Sequence, residues 1–263
     1  MNSLNNILII SNNPLSNFQN NGKTLASLIS NVKKERIYQI YFSSDCPDYI
    51  ECTNYYQLTE KQIINSFFKK NTVGKKVEPV SSIQKSSFNP TSAIKKSELI
   101  RLLRELIWKT KRWKNKNLIE WVKNAHIKKV FFVGGDCIFA YDVCQYICNL
   151  LDVKPMLFIT DDYVCGKYIN PIKRLRRHII RNCMKKMIVG CERFFTISEK
   201  MSNLYFKIFG RESQIIRNVQ YCNISTDNFK CYLPSSKINI IYAGGLHYNR
   251  WKILSKCCEA IKE

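Results

Sequence analysis

The chain has 263 residues, 45% of them apolar and 12% aromatic, which is enough to bury a core and excludes global disorder. Forty-two Lys and Arg stand against 20 Asp and Glu, a net charge of +22 that points to an anionic partner or substrate. No apolar run approaches the ~18 residues of a spanning helix, and the opening MNSLNNILIISNN lacks the basic segment and cleavage site of a signal peptide, so a cytoplasmic protein is expected.

Asn6–Ser11 reads as the first strand, followed by a polar loop with Gly22 before a helix over Lys23–Asn31. Ile37–Phe42 is the next strand. Tyr49–Ser97 is polar and irregular. Lys95–Lys129 holds twelve Lys/Arg and three Glu, a net charge of +9. This stretch reads as a helix with Leu99, Leu102, Leu103 and Leu106 on one side and Arg101, Arg104, Glu105, Arg112 and an outward Trp108 on the other.

Lys129–Val133 is a strand ending in Gly134-Gly135, with Asp136 as the expected cap of a helix over Ile138–Leu151. Pro155–Thr160 is a strand and Ile172–Ile188 a helix. The second basic stretch, Lys167–Lys186, carries eight Lys/Arg and no acid. Arg174, Arg177, Arg181 and Lys185 are expected on its outer side, and Ile172, Leu175, Ile179 and Cys183 on its inner side. The two stretches together carry +17 of the +22 and suggest an anionic membrane surface.

Arg193–Ile197 is a strand, Ser198 caps a helix running to Phe209, Gly210 ends it, and Gln214–Val219 is a further strand. The βαβα order implies an α/β fold, a mostly parallel Rossmann-like sheet with helices on both faces. Residues 220–236 read as a linker. Beyond it stand a strand over Lys237–Ala243, a Gly244-Gly245 turn and one helix, which together are too little for a core. The expected division is therefore 1–219, 220–236 and 237–263, the last being the start of a second domain.

Twelve cysteines without a Cys-x-x-Cys pair suit reduced, buried thiols, and no zinc-ligand spacing is present. His126 and His178 have no partner at catalytic spacing. Ligands of open parallel sheets gather where strands end. Four loops therefore qualify: the one holding Gly22, Gly134-Gly135-Asp136, Thr160-Asp161-Asp162-Tyr163, and Gly244-Gly245 through Arg250. A glycine beside a helix N-terminus admits a phosphate or sugar to the backbone N–H groups, and Arg250 adds a cation. One of Asp161 and Asp162 faces the cleft to orient a hydroxyl or act as base, and the other holds the loop.

The Gly22 loop, FITDDY, FFTISEKMSNLYFKIFG, IIRN and IIYAGGLHYNRWKIL together resemble the N-terminal domain and crossover of GT-B glycosyltransferases. They are most similar to the family-4-like transferases of bacterial surface polysaccharide synthesis. The resemblance implies a nucleotide-sugar donor held chiefly by the second domain, at Gly244, Gly245 and Arg250. It also implies a glycan or lipid-linked acceptor on the first domain, entering past Gly22 and Asp161/Asp162 and near Gly134 and Gly135. No metal and no cofactor is implied, and nucleic acid is not expected. Gly244-Gly245-Leu246 stands where the family often has Gly-Arg-Leu, and Asn218-Val219-Gln220 where it often has Asn-Gly-Val-Asp; the family's acidic pair would lie past Glu263. The different-class alternative is a non-catalytic basic module that binds nucleic acid, and a third is a remnant that binds a partner glycosyltransferase.

Overall fold

Strand β1 (Asn6–Ser11) pairs in parallel with β2 (Ile37–Tyr41) on one side and β5 (Ile127–Gly134) on the other. From this centre the sheet grows outward in both directions, in the order β4-β3-β2-β1-β5-β6-β7-β8. The remaining strands are β3 (Asn54–Gln57), β4 (Lys75–Val77), β6 (Pro155–Ile159), β7 (Arg193–Thr196) and β8 (Gln214–Ile215). Every pairing is parallel except that of β4 with β3. The structure is a computed structural model and describes residues 6–18, 20–69, 73–80, 98–166, 170–217, 240–242 and 250–262.

The α/β, Rossmann-like fold expected from the sequence is the fold observed. Its helices in the first unit are α1 (Asn20–Leu28), α2 (Glu60–Phe68), α3 (Glu98–Lys109), α4 (Lys116–Asn124), α5 (Ile138–Leu151), α6 (Pro171–Gly190) and α7 (Glu199–Phe209). Side chains alternate across the sheet. Leu8, Ile10 and Phe132 join one apolar cluster with α3 to α6, and Ile9, Val133 and Phe158 join a second with Leu25 and Ile29 of α1. Both faces are buried, which explains why the central strands are nearly continuous runs of Ile, Leu, Val and Phe.

Local signals set most boundaries. Ser198 accepts from the Met201 N–H at 3.3 Å to open α7, and Gly210 closes it at φ 73°, a left-handed conformation that favours glycine. Asn170 and Pro171 open α6. The irregular stretch from Tyr49 contains β3, α2 and β4, with Thr59 and Gln62 forming a reciprocal capping box at the start of α2. The single helix expected from Lys95 is instead two, α3 and α4, separated at Lys111, whose φ is 57°.

Three expectations about facing are corrected. Trp108 is buried, not outward: its ring stacks on Phe139 with centroids 3.9 Å apart and planes 8° apart, and Phe42 meets it edge-on at 5.5 Å. Leu99, Leu103 and Leu106 of the stripe used to orient α3 are exposed, while Trp108 with its two ring contacts and the helix-capping Glu105 take the inner side. In α6 the inward stripe is Arg176, Ile180, Met184, Met187 and Ile188, one position round from the expected one, and Leu175 is exposed.

The chain divides into the units Met1–Gln220 and Tyr221–Glu263. In the second unit α8 (Arg250–Lys262) is helical. Ile240–Tyr242, expected within a strand, is not one, and Gly244 and Gly245 lie outside the described residues. Among the described residues no helix is long and apolar enough to cross a membrane.

Candidate functional site

The sheet changes its direction of growth between β1 and β5, and the loops leaving these strands diverge there, opening the crevice in which ligands of such sheets bind. A cavity of about 410 Å³ lies there. Asn12, just past β1, and Asp136 and Cys137, just past β5, form its floor. One turn after another of α3 forms a wall, with Ile100, Leu103 and Ile107 on its apolar side and Arg101, Arg104 and Glu105 on its polar side. Glu60 of α2 and Arg176 of α6 complete it.

Both basic stretches converge on this cavity. Arg101 Nη1 lies 2.7 Å from Asp136 Oδ2, and Arg176 Nη2 lies 3.2 Å from the same oxygen. Arg176 is itself buried and also donates to the Asp136 backbone carbonyl. Arg104 is ion-paired with Glu60, and its guanidinium lies over the Phe139 ring, 4.8 Å from the centroid. Three guanidinium groups thus meet two carboxylates, Asp136 and Glu60.

Glu105 caps a helix 33 residues further along the chain. Its carboxylate accepts from the Ile138 N–H at 3.0 Å and from the Phe139 N–H at 2.8 Å. The expected cap, Asp136, does not reach those groups; Cys137 holds the cap position and makes no side-chain bond to the helix. Burial raises the Glu105 pKa, and the two N–H groups with Arg104 and Arg176 pull in the opposite direction. Cys137 donates from Sγ to Asn12 Oδ1 at 3.5 Å, and burial pushes its thiol up to about 12. At neutral pH this thiol is protonated.

The sequence-predicted residues fall in several places. Gly22 sits in the first turn of α1, and a Cβ there would stand 2.3 Å from the Pro14 carbonyl oxygen. The close approach is made by the chain's own loop. That loop is held by buried Gln39, which accepts from the Leu15 N–H at 2.8 Å and donates to Ser11 Oγ at 2.7 Å. Asp48 holds its far end through the Asn17 N–H at 2.7 Å and Ser16 Oγ at 2.9 Å.

Gly134 is buried against Leu157 and Tyr141, and Gly135 accepts from the Tyr141 hydroxyl at 2.9 Å through its carbonyl. They carry the chain to Asp136 at the cavity floor. Asp161 and Asp162 follow β6, are exposed, and do not line the cavity. Asp162 Oδ1 accepts from the Val164 and Cys165 N–H groups at 2.9 and 2.8 Å, whereas among the described residues Asp161 Oδ1 accepts from the Asp162 N–H alone, at 2.8 Å. The two carboxylates therefore differ in their bonds, and Asp162 shapes the loop. Arg250 begins α8 in the second unit and is exposed.

Periodicity could not reveal Glu105, Arg101, Arg104 and Arg176 as one cluster, because their partners come from distant helices. The available signal was Gly-Gly-Asp-Cys before α5, a poor cap that leaves helix N–H groups to be satisfied from elsewhere. Among the described residues no group of His, Cys, Asp and Glu is arranged to hold a metal ion. The chain matches no protein family and no curated protein.

Proposed function

We propose that the chain is a glycosyltransferase of GT-B type, one that moves a sugar from a nucleotide-sugar to a glycan or lipid-linked acceptor. The observation that carries this reading is the cavity between β1 and β5. Its paired guanidinium and carboxylate groups, together with Asn12, present donors and acceptors side by side at near-balanced charge. Such a lining suits a neutral, hydroxyl-rich ligand better than a bare phosphate, because each sugar hydroxyl both donates and accepts. Ile100, Leu103 and Ile107 add an apolar wall for the C–H face of a sugar ring or the start of a lipid.

In this reading the acceptor sits in the cavity with its reacting hydroxyl toward the loop after β6. Asp161, the less engaged of the two aspartates, takes the hydroxyl proton, and Asp162 keeps the loop in shape. The nucleotide-sugar belongs to the second unit, at Gly244, Gly245 and Arg250, as the resemblance implies. Helix N-termini and cations would then stabilise the departing diphosphate.

The test is a glycan array probed with the full chain, beside a mass-spectrometric screen for sugar transfer from a set of nucleotide-sugars. Selective capture of one glycan class, lost when Ile100→Trp fills the cavity, is the expected result. An array without capture, together with a screen without transfer, would overturn the reading.

A further inference from the structure

Helix α3 is turned inside out relative to an ordinary amphipathic helix. Its charged and aromatic side, Arg101, Arg104, Glu105 and Trp108, packs inward on the rest of the first unit. Leu99, Ile100, Leu103 and Leu106 stand outward, with 56%, 48%, 52% and 58% of their surfaces exposed. Four aliphatic side chains left in water on one face, while Glu105 and Trp108 of the same helix are buried, call for an apolar phase over that face. Helix α2 packs beside α3 and extends the surface with Phe67 and Phe68, 49% and 84% exposed.

Among the described side chains of α2 and α3, the exposed charges have one sign. Lys61, Lys69, Lys109, Lys111 and Arg112 are exposed on α2, on α3 and just past them. The carboxylates of Glu60 and Glu105 are turned to Arg104 and to the α5 backbone. Aliphatic and phenyl side chains at the crest, with the described exposed cations at the margin, match the two-part chemistry of an anionic lipid surface, apolar below and negative above.

We propose that the α2–α3 ridge is a membrane-docking face. Leu99, Leu103, Leu106, Phe67 and Phe68 enter the headgroup and acyl boundary of an anionic bilayer, while Lys69, Lys109, Lys111 and Arg112 pair with lipid phosphates. This differs from the docking expected of the sequence, in which the basic helix faces and Trp108 met the membrane; Trp108 is buried and the leucines lead. It stands independently of the transferase reading, since docking requires neither donor nor acceptor. Ile100 and Leu103 belong both to the ridge and to the cavity wall, so a bilayer under α3 lies beside the cavity.

Flotation of the full chain with vesicles of equal parts phosphatidylcholine and phosphatidylglycerol, and with phosphatidylcholine alone, tests the proposal. The chain is expected to float with the anionic vesicles and not with the neutral ones. Leu103→Glu and Phe68→Glu should each lower the bound fraction about tenfold or more, since a charge then enters the apolar boundary. Ile50→Glu, at another exposed position of the same unit, should leave it unchanged. These sites are exposed, and unchanged circular dichroism and melting verify that each variant folds. The proposal is overturned if the chain does not float, or if the two ridge variants float like wild type. It is equally overturned if the wild type sediments as a dimer that Leu103→Glu splits, making a second copy the occupant. Displacement from the vesicles by duplex DNA at matched phosphate would assign the surface to nucleic acid instead.

Discussion

The Glu105 carboxylate receives the Phe139 backbone N–H at 2.8 Å, so that a side chain of α3 closes the N-terminus of α5. Trp108, one turn further along α3, stacks on the ring of the same Phe139. The two contacts dock α3 on α5, beside the cavity that its arginines line. Glu105→Ala strands two buried N–H groups and is expected to cost about 2 kcal/mol in urea unfolding. A loss below about 0.5 kcal/mol would show that water replaces the cap.

The same residue sets a pH dependence. Burial is the largest influence on Glu105 and raises its pKa above the ordinary glutamate value of about 4.3. Between that value and the raised native one, the folded chain holds a proton that the unfolded chain has released, so stability falls as pH rises through this window. Glu105→Gln cannot titrate. The difference in unfolding free energy between variant and wild type should therefore move in the variant's favour as pH rises from about 4 toward neutrality. A constant difference across that range would contradict the direction of the shift.

Arg176 is buried and shares Asp136 with the half-exposed Arg101. Asp136→Ala leaves Arg176 without its carboxylate and should destabilise by about 1–3 kcal/mol. Asp136→Ala combined with Arg176→Met should cost less than the sum of the two single changes, because the second removes the buried charge that the Asp136 carboxylate offsets. Strict additivity in the double-mutant cycle would deny the coupling.

Gly22 and Gly135 make an internal comparison. A Cβ at Gly22 meets the Pro14 carbonyl at 2.3 Å, whereas one at Gly135 reaches only ordinary contact with Tyr163 at 4.0 Å. Gly22→Ala should lower stability by about 1–3 kcal/mol through overpacking of a loop already pinned by Gln39 and Asp48. Gly135→Ala should stay within about 0.5 kcal/mol. Equal melting points for the two variants would mean that the loop gives way.

Asp161 and Asp162 should separate by readout. Asp162→Ala removes the acceptor of two loop N–H groups and should lower the melting temperature whether or not the protein transfers sugar. Asp161→Asn should leave folding intact and reduce transfer roughly a hundredfold if it is the base. Comparable, mild effects of both on transfer would relegate the pair to loop structure.

Much of the fold was legible in the order of residues. The runs at Asn6–Ser11, Ile138–Leu151 and Pro155–Ile159, the Ser198 cap and the Gly210 stop are local signals, and local signals act through backbone geometry that a few neighbouring residues control. The parallel sheet followed from the alternation of strands and helices. The facing of α3 was not legible, because periodicity reports which residues share a side but not which side wins the core. That choice fell to Trp108 against Phe139 and Phe42, and to Glu105 finding N–H groups 33 and 34 residues away. The candidate cavity has the same origin: Arg101, Arg104 and Arg176 are charges scattered over two basic stretches, and they form a site only because α3 and α6 are packed against the end of β5. Composition counts charge, but only packing brings the buried Arg176 guanidinium to 3.2 Å from the Asp136 carboxylate that makes its burial tolerable.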